Sequence, residues 1–134
     1  MMKSRVFQAA KSEGGLSVQI VVVVLDEGIV VTLGGGDVSH VGAVALAEPR
    51  PSRRDPRKMS SSVSVFARLG HKEDDLAKKL AGQLAAMTGL PVVLSAGIHV
   101  EDASEDEIMG AQLLAKSLVE DSVPQIEALL KGGS

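Results

Sequence analysis

From Leu16 to Leu25 the chain is almost continuously apolar and rich in β-branched residues: Val18, Ile20, Val21, Val22, Val23 and Val24. Such side chains pack well on a pleated surface, and a run that is apolar at both parities predicts a strand covered on both faces. Asp26-Glu27-Gly28 then reads as a turn and Ile29 to Leu33 as the returning strand, since a short Gly-containing link between two β-branched runs is a hairpin signal. Val41 to Ala47 is a third run of small apolar residues. From Ser62 to Leu69, Val63, Val65 and Ala67 alternate with Ser62, Ser64, Phe66 and Arg68, the period of two of a strand with one polar or partly exposed face. Ser4 to Lys11 has the composition of a short strand within a weakly ordered stretch, residues 1–15.

The period changes in the second half. Leu76, Leu80 and Leu84, with Ala77, Ala81 and Ala85, recur at helical spacing from about Lys72 to Thr88. Glu73, Asp74 and Asp75 fall in the first turn, where carboxylates suit the helix dipole, and Gly89 ends the helix. Leu90 to Ala96 is a short buried strand and Gly97 to Asp102 a loop. Ser104 and Glu107 form a capping box for a last helix with Ile108, Ala111, Ala115, Leu118, Ser122, Ile126 and Leu129 on one face. Pro124 kinks that helix or splits it in two, and residues 131–134 form a frayed tail. Strands first and helices later give an α+β class: a largely antiparallel sheet of about five or six strands with two main helices packed on one face.

The 134 residues suffice for a single domain, 1–134, with 45% apolar and 23% charged residues in globular proportion. Cysteine is absent, which excludes disulfides, thiolate metal sites and a cysteine nucleophile, and fits a reducing compartment. There are two Phe and no Trp or Tyr, against a nucleic-acid module built on stacking platforms. The net charge of −3 supplies no field that would draw the chain to nucleic acid or anionic lipid. The strongest apolar run is too short to span a bilayer, and the first residues carry no apolar signal core, so a cytoplasmic, membrane-free location is expected. A strand apolar on both faces needs two covers, so Val18 to Leu25 also marks a candidate homo-oligomer interface.

The one biased segment is the basic Pro-rich loop, residues 48–62. Within it Glu48 to Lys58 holds three prolines, five basic and two acidic residues, and is predicted to be irregular. The three histidines, His40, His71 and His99, each sit beside glycine or acid at a strand end, in GGGDVSH, LGHKEDD and AGIHVED. They are either three unrelated surface residues or a group converging on one sheet edge. If they converge, one chemistry is a metal site with Glu101 or Asp102, and the other is polar recognition or proton transfer around a small molecule. Gly70-His71-Lys72 precedes a helix, where free N–H groups and the dipole favour an anion. Arg50, Arg53, Arg54, Arg57 and Lys58, and the serines Ser60, Ser61 and Ser62, are further phosphate candidates, or simply a solvated loop and the start of a strand. Gly34-Gly35-Gly36 matches neither dinucleotide nor P-loop spacing, which leaves a tight turn or a close approach of backbone to ligand.

The segments HVGAVALAEPRPS (His40 to Ser52), SVSVFARLGHKEDDLAKKLA (Ser62 to Ala81) and VVLSAGIHVEDASEDEI (Val92 to Ile108) resemble the LpdD-like prenylated-flavin chaperones, accessory proteins of UbiD-type decarboxylases such as gallate decarboxylase. The resemblance runs from about Leu16 to Leu130, with Gly70 to Asp74 and Gly97 to Asp102 its most specific pieces. It implies a non-catalytic carrier of prenylated FMN, or of FMN, that serves a UbiD-type apo-decarboxylase; a flavin prenyltransferase is a further candidate partner. The cofactor's chemistry then suggests His71 and Lys72 for phosphate or ring edge, His40 and His99 for the ring, Arg50 and Ser61 for phosphate, and Asp102 beside His99. The absence of Trp and Tyr departs from an ordinary flavin site: ring contacts must be aliphatic, imidazole, or supplied across a subunit boundary. Two other classes stay open, a small metal-dependent hydrolase using His40, His71, His99 and Asp102, and a ligand-free accessory subunit of a decarboxylase.

Overall fold

The computed structural model describes residues 5–69 and 73–132. Six strands and two helices follow in the order β1 (Arg5–Glu13), β2 (Leu16–Leu25), β3 (Gly28–Gly36), β4 (Val38–Pro51), β5 (Met59–Ala67), α1 (Asp74–Thr88), β6 (Val92–His99) and α2 (Glu105–Leu130). They form one sheet with strand order β1-β2-β3-β6-β4-β5. Every neighbouring pair is antiparallel except β3 with β6. The α+β expectation therefore holds.

The strand alternation assigns the two sheet faces. Val18, Ile20, Val22 and Val24 of β2, Ile29, Val31 and Leu33 of β3, Ala43, Ala45 and Ala47 of β4, and Val92, Leu94 and Ala96 of β6 form one buried face. They share a core with Leu76, Leu80 and Leu84 of α1 and Leu114, Leu118 and Ile126 of α2. Each fully buried Leu or Ile contributes about 1.5–3 kcal/mol relative to its exposed state. α1 covers β4, β5 and β6, while α2 covers β1 and β2, so one sheet carries both helices side by side on the same face.

Several local expectations change. The stretch ahead of Leu16 holds a full edge strand, Arg5–Glu13, joined to β2 by a two-residue turn at Gly14 and Gly15. Both glycines have positive φ, 58° and 83°, the pattern of a twisted hairpin turn that only glycine adopts at little cost. The Pro-rich stretch is also largely strand. β4 runs through Pro49 to Pro51, paired with β5 from Met59, and only residues 52–58 form the connection. This is permitted because β4 leaves β6 at Ala47, so Pro49 and Pro51 lie in a two-stranded ribbon with a free side that needs no N–H. Gly34-Gly35-Gly36 ends β3 rather than making a turn, and Gly97 to His99 end β6 rather than opening a loop.

Pro124 does not split α2, which continues from Glu105 to Leu130 around it. Pro124 is exposed, so the carbonyl left without its helical donor is open to solvent. The capping box is as expected: Ser104 Oγ accepts from Glu107 N at 3.1 Å, and the Glu107 carboxylate accepts from Ser104 N at 3.2 Å.

Candidate functional site

One corner of the sheet gathers the features that bear on chemistry. There β3 and β6 end, and β4 and α1 begin. β4 pairs with β6 at Ser39↔Ile98 and resumes at Ala43↔Ala96, so His40, Val41 and Gly42 stand opposite Gly97 alone. This bulge, with two extra residues on β4, lifts His40 off the ladder and re-aims its side chain. Glycine is required beneath it, because a Cβ on Gly97 would lie 1.7 Å from the His40 carbonyl oxygen. A Cβ on Gly34 would lie 2.7 Å from Ser39 Cβ, and one on Gly42 would lie 2.4 Å from Glu73 Oε2. These glycines thus let backbone and side chains of the same chain close on one another; the space is filled by protein.

Two imidazoles meet at the corner. The rings of His40 and His99 are edge-on, with centroids 6.2 Å apart and planes at 74°. His40 Nε2 lies 3.2 Å from Glu73 Oε1, with both side chains mostly buried, and His99 Nε2 lies 3.1 Å from the more exposed Glu101 Oε2. Backbone bonds hold the platform: Asp37 N donates to His99 O at 2.7 Å, and Glu101 N donates to Asp37 Oδ2 at 2.8 Å. Arg68 closes the other side. Its backbone N donates to Gly42 O at 2.9 Å and its Nη1 to Val41 O at 3.1 Å, which sets an exposed guanidinium beside the bulge. The corner therefore offers two imidazoles, three carboxylates (Glu73, Glu101 and Asp37) and a cation, a set suited to polar recognition.

The sheet face opposite the helices starts at this corner. Following the register across the strands, Val6, Val23, Val30, Val93, Leu46 and Ser64 form one row; Gln8, Val21, Thr32, Ser95, Val44 and Phe66 form the next. None of these residues is charged. Val6, Leu46 and Phe66 are exposed, Phe66 by 77%. Within the second row Ser95 Oγ is buried without a hydrogen-bond partner. A buried hydroxyl without a partner is costly, so the position suits a group that supplies one.

The predicted site residues divide. His40 and His99 come together. Asp102 lies in the exposed turn after β6, with a left-handed φ of 52° that Asp tolerates better than most residues. Arg50 and Ser61 lie at the far end of the β4–β5 ribbon, and ten positions along a strand is roughly 30 Å from His40. There Arg50 Nε donates to Ser62 Oγ at 2.8 Å, and Ser61 Oγ faces α1 near Gly82. His71 and Lys72 lie outside the described residues. Among the described residues no group of three or more metal-ligating side chains converges. Sequence reasoning passed over Arg68, Phe66 and Ser95 as functional groups, and took Glu73 as a helix-start acid only. Phe66 and Arg68 carried a usable signal: a large ring and a cation at the polar parity of a half-exposed strand.

In the ribbon connection, Asp55 accepts from Arg57 Nε at 3.0 Å and from Arg57 N at 3.2 Å. These bonds, the side-chain one foremost, hold its carboxyl below the ordinary aspartate range.

A family model for the prenylated flavin chaperone LpdD-like domain matches residues 12–127. No curated protein sequence matches. Among solved structures, the chain is similar to one from "Crystal Structure of a Novel Chaperone Complex for Yeast 20S Proteasome Assembly", at 11% identity and a TM-score of 0.60, covering 93% of this chain and 96% of that one. At that identity the likeness is one of fold.

Proposed function

The chain belongs to the prenylated flavin chaperone LpdD-like family, and from that premise we propose that it binds prenylated FMN and passes it to a UbiD-type apo-decarboxylase without catalysing a reaction on a substrate of its own. The observation that carries this reading is the corner where two imidazoles adjoin an uncharged, largely apolar sheet face. The residues present fit such a group. His99, whose Nε2 meets Glu101, turns Nδ1 to the polar edge of a flavin; His40, held by Glu73 through Nε2 and by Val38 O through Nδ1, sets the position of that ring edge-on, and Ser95 has an unused hydroxyl in the same face. Val21, Val23, Val30, Val44 and Val93 give an apolar surface for a flat ring with its prenyl-derived extension. Arg68 is a cation at the corner that Arg50 and Ser61, at the far end of the ribbon, do not reach.

Bound prenylated FMN supplies the decarboxylase with its reactive ring system; the chain's own residues hold, orient and shield it. The open face needs a cover for that last task. A second copy of the chain, packed face to face, buries Val6, Val30, Leu46 and Phe66 and brings Phe66 of each copy towards the partner's face as the ring contact that the missing Trp and Tyr do not provide. The cytoplasm is the compartment in which this transfer is expected.

The test is an absorption spectrum of the protein co-expressed with a flavin prenyltransferase. With no Trp or Tyr, the chain contributes little above the peptide bands, so a bound flavin stands out. A flavin-like spectrum, with the mass of prenylated FMN in the released material, supports the carrier. A blank that persists after anaerobic addition of cofactor rejects it. The double substitution His40→Ala, His99→Ala is expected to lower flavin retention at least about tenfold, the scale of one or two lost hydrogen bonds to a buried polar edge.

A further inference from the structure

A cavity of about 620 Å³ lies on the helix side of the sheet, between the Gly14-Gly15 turn and the first half of α2. Its charged lining residues are Glu13, Asp37 and Glu107, and Leu16, Leu113 and Leu114 supply apolar walls. No lysine or arginine is among the described lining residues. Like charges repel, so this is a poor seat for a flavin phosphate and a good one for a cation. The carboxylates come from three separate elements: Glu13 ends β1, Asp37 links β3 to β4, and Glu107 is on α2. Glu107 caps α2 by accepting from Ser104 N, and Asp37 accepts from Glu101 N, so both carboxylates are held in place.

The surface around the cavity is acidic and apolar at once. The first six residues of α2 are all exposed, and Ile108, Met109 and Leu113 are 48%, 58% and 60% exposed. Between Val100 and Ala115 the chain carries Glu101, Asp102, Glu105, Asp106 and Glu107 and no basic residue. Met109 stands one turn before the cavity's Leu113 on the same side of α2, so the apolar wall continues outward to it, whereas Ile108 falls on the stripe of Ala111 and Ala115. Met109 adds a side chain that adapts to varied partners.

We propose that this cleft and the exposed start of α2 form a docking site for a segment of a partner protein that presents a lysine or arginine beside apolar side chains. The cation enters among Glu13, Asp37 and Glu107, and the apolar residues cover Met109 and Leu113. Charge complementarity selects the partner and the apolar contact holds it. The assignment stands whether or not the chain carries a flavin.

Three synthetic peptides of equal length, each with one Trp, test it against the full chain: one of alternating Lys and Leu character, one with Glu for every Lys, one with Ser for every Leu. The chain has no Trp, so the blue shift and anisotropy of the peptide Trp report binding directly. The Lys/Leu peptide is expected to bind at least about tenfold more tightly than either control, and to weaken as salt shortens the Debye length from about 30 Å to about 8 Å. Gly110 lines the cavity, and a Cβ there meets nothing within 4 Å, so Gly110→Phe starts from open space and sets its ring in the cleft. That variant, with its fold checked by circular dichroism, is expected to lose the binding. Equal binding of all three peptides, or binding untouched by Gly110→Phe, overturns the site. Full competition by a short alkylamine alone makes the occupant a small cation and overturns the partner-segment assignment.

Discussion

Replacing Gly97 by alanine probes the corner most directly. The new Cβ would stand 1.7 Å from the His40 carbonyl oxygen, 2.4 Å from its carbon and 3.1 Å from Gly42 N. All three are backbone atoms, so no side chain can swing aside, and the bulge must rise by more than 1 Å to restore ordinary contact. Overpacking of this kind costs about 1–3 kcal/mol, and displaced backbone puts Gly97→Ala at the upper end. With an unfolding entropy of about 2.1 cal/mol/K per residue, a chain of this length shifts by roughly 3.5 °C per kcal/mol, so the midpoint falls by about 7–10 °C. Gly110→Ala is the matched control. Its Cβ meets open space inside α2, and the gain in helix propensity raises stability by about 0.5–1 kcal/mol, a few degrees upward. Thermal unfolding followed by circular dichroism reads both. A Gly97→Ala midpoint close to wild type would falsify the account of the bulge, and so would a loss in Gly110→Ala as large as the one expected for Gly97→Ala.

Other expectations follow from separate parts of the molecule. Leu46→Lys, at a half-exposed position on the open sheet face, tests the proposed face-to-face pairing: it is expected to shift sedimentation towards the monomer while leaving the helical circular dichroism signal intact, and an unchanged distribution counts against that pairing. Pro124→Ala restores a backbone donor inside α2 and is expected to raise the unfolding midpoint, with no change or a fall counting against the helix as described. Because the Asp55 carboxyl is held low by Arg57, its stabilising contact is present above the ordinary aspartate range and lost as pH falls through the lowered value; carboxyl NMR should show that midpoint return upward in Arg57→Ala. Lys11 Nζ bridges β1 to α2 through Asp121 at 2.7 Å and Ser117 at 2.6 Å, yet the pair is partly solvated, so Asp121→Asn should cost under about 1 kcal/mol in urea unfolding.

The fold was largely legible because its signals are local. The β-branched run at Val18 to Val24, the period of two at Val63 to Ala67 and the Leu/Ala spacing of α1 each report the element in which they sit. The errors share a cause: strand pairing is set by distant residues. Pro49 and Pro51 read as breakers, and become tolerable only because β6 ends its pairing with β4 at Ala47. Gly97 reads as a loop glycine because nothing local shows that His40 will cross above it. The site was legible in part for the same reason. His40 and His99 both adjoin strand ends, a pattern visible in the sequence, whereas the length of the β4–β5 ribbon, which carries Arg50 away from them, is not. Arg68 and Phe66 took on interest only once the register placed them at the corner and on the open face.

The parallel pairing of β3 with β6 has a consequence for biosynthesis. The strand that joins the two halves of the sheet is the last to be made: β1, β2 and β3 can zip together as they emerge, and β4 with β5 likewise, but β6 enters between β3 and β4 only after about sixty further residues. At about 5–20 residues per second, the inner edge of β3 waits several seconds without its neighbour. That edge spans Ile29 to Leu33, uncharged and β-branched, which is the composition that invites pairing with another nascent chain. A ribosome-bound intermediate with two unjoined sheets is therefore built into the strand order, and slowing synthesis between Gly36 and Val92 should lower the soluble yield even though the finished protein is unchanged.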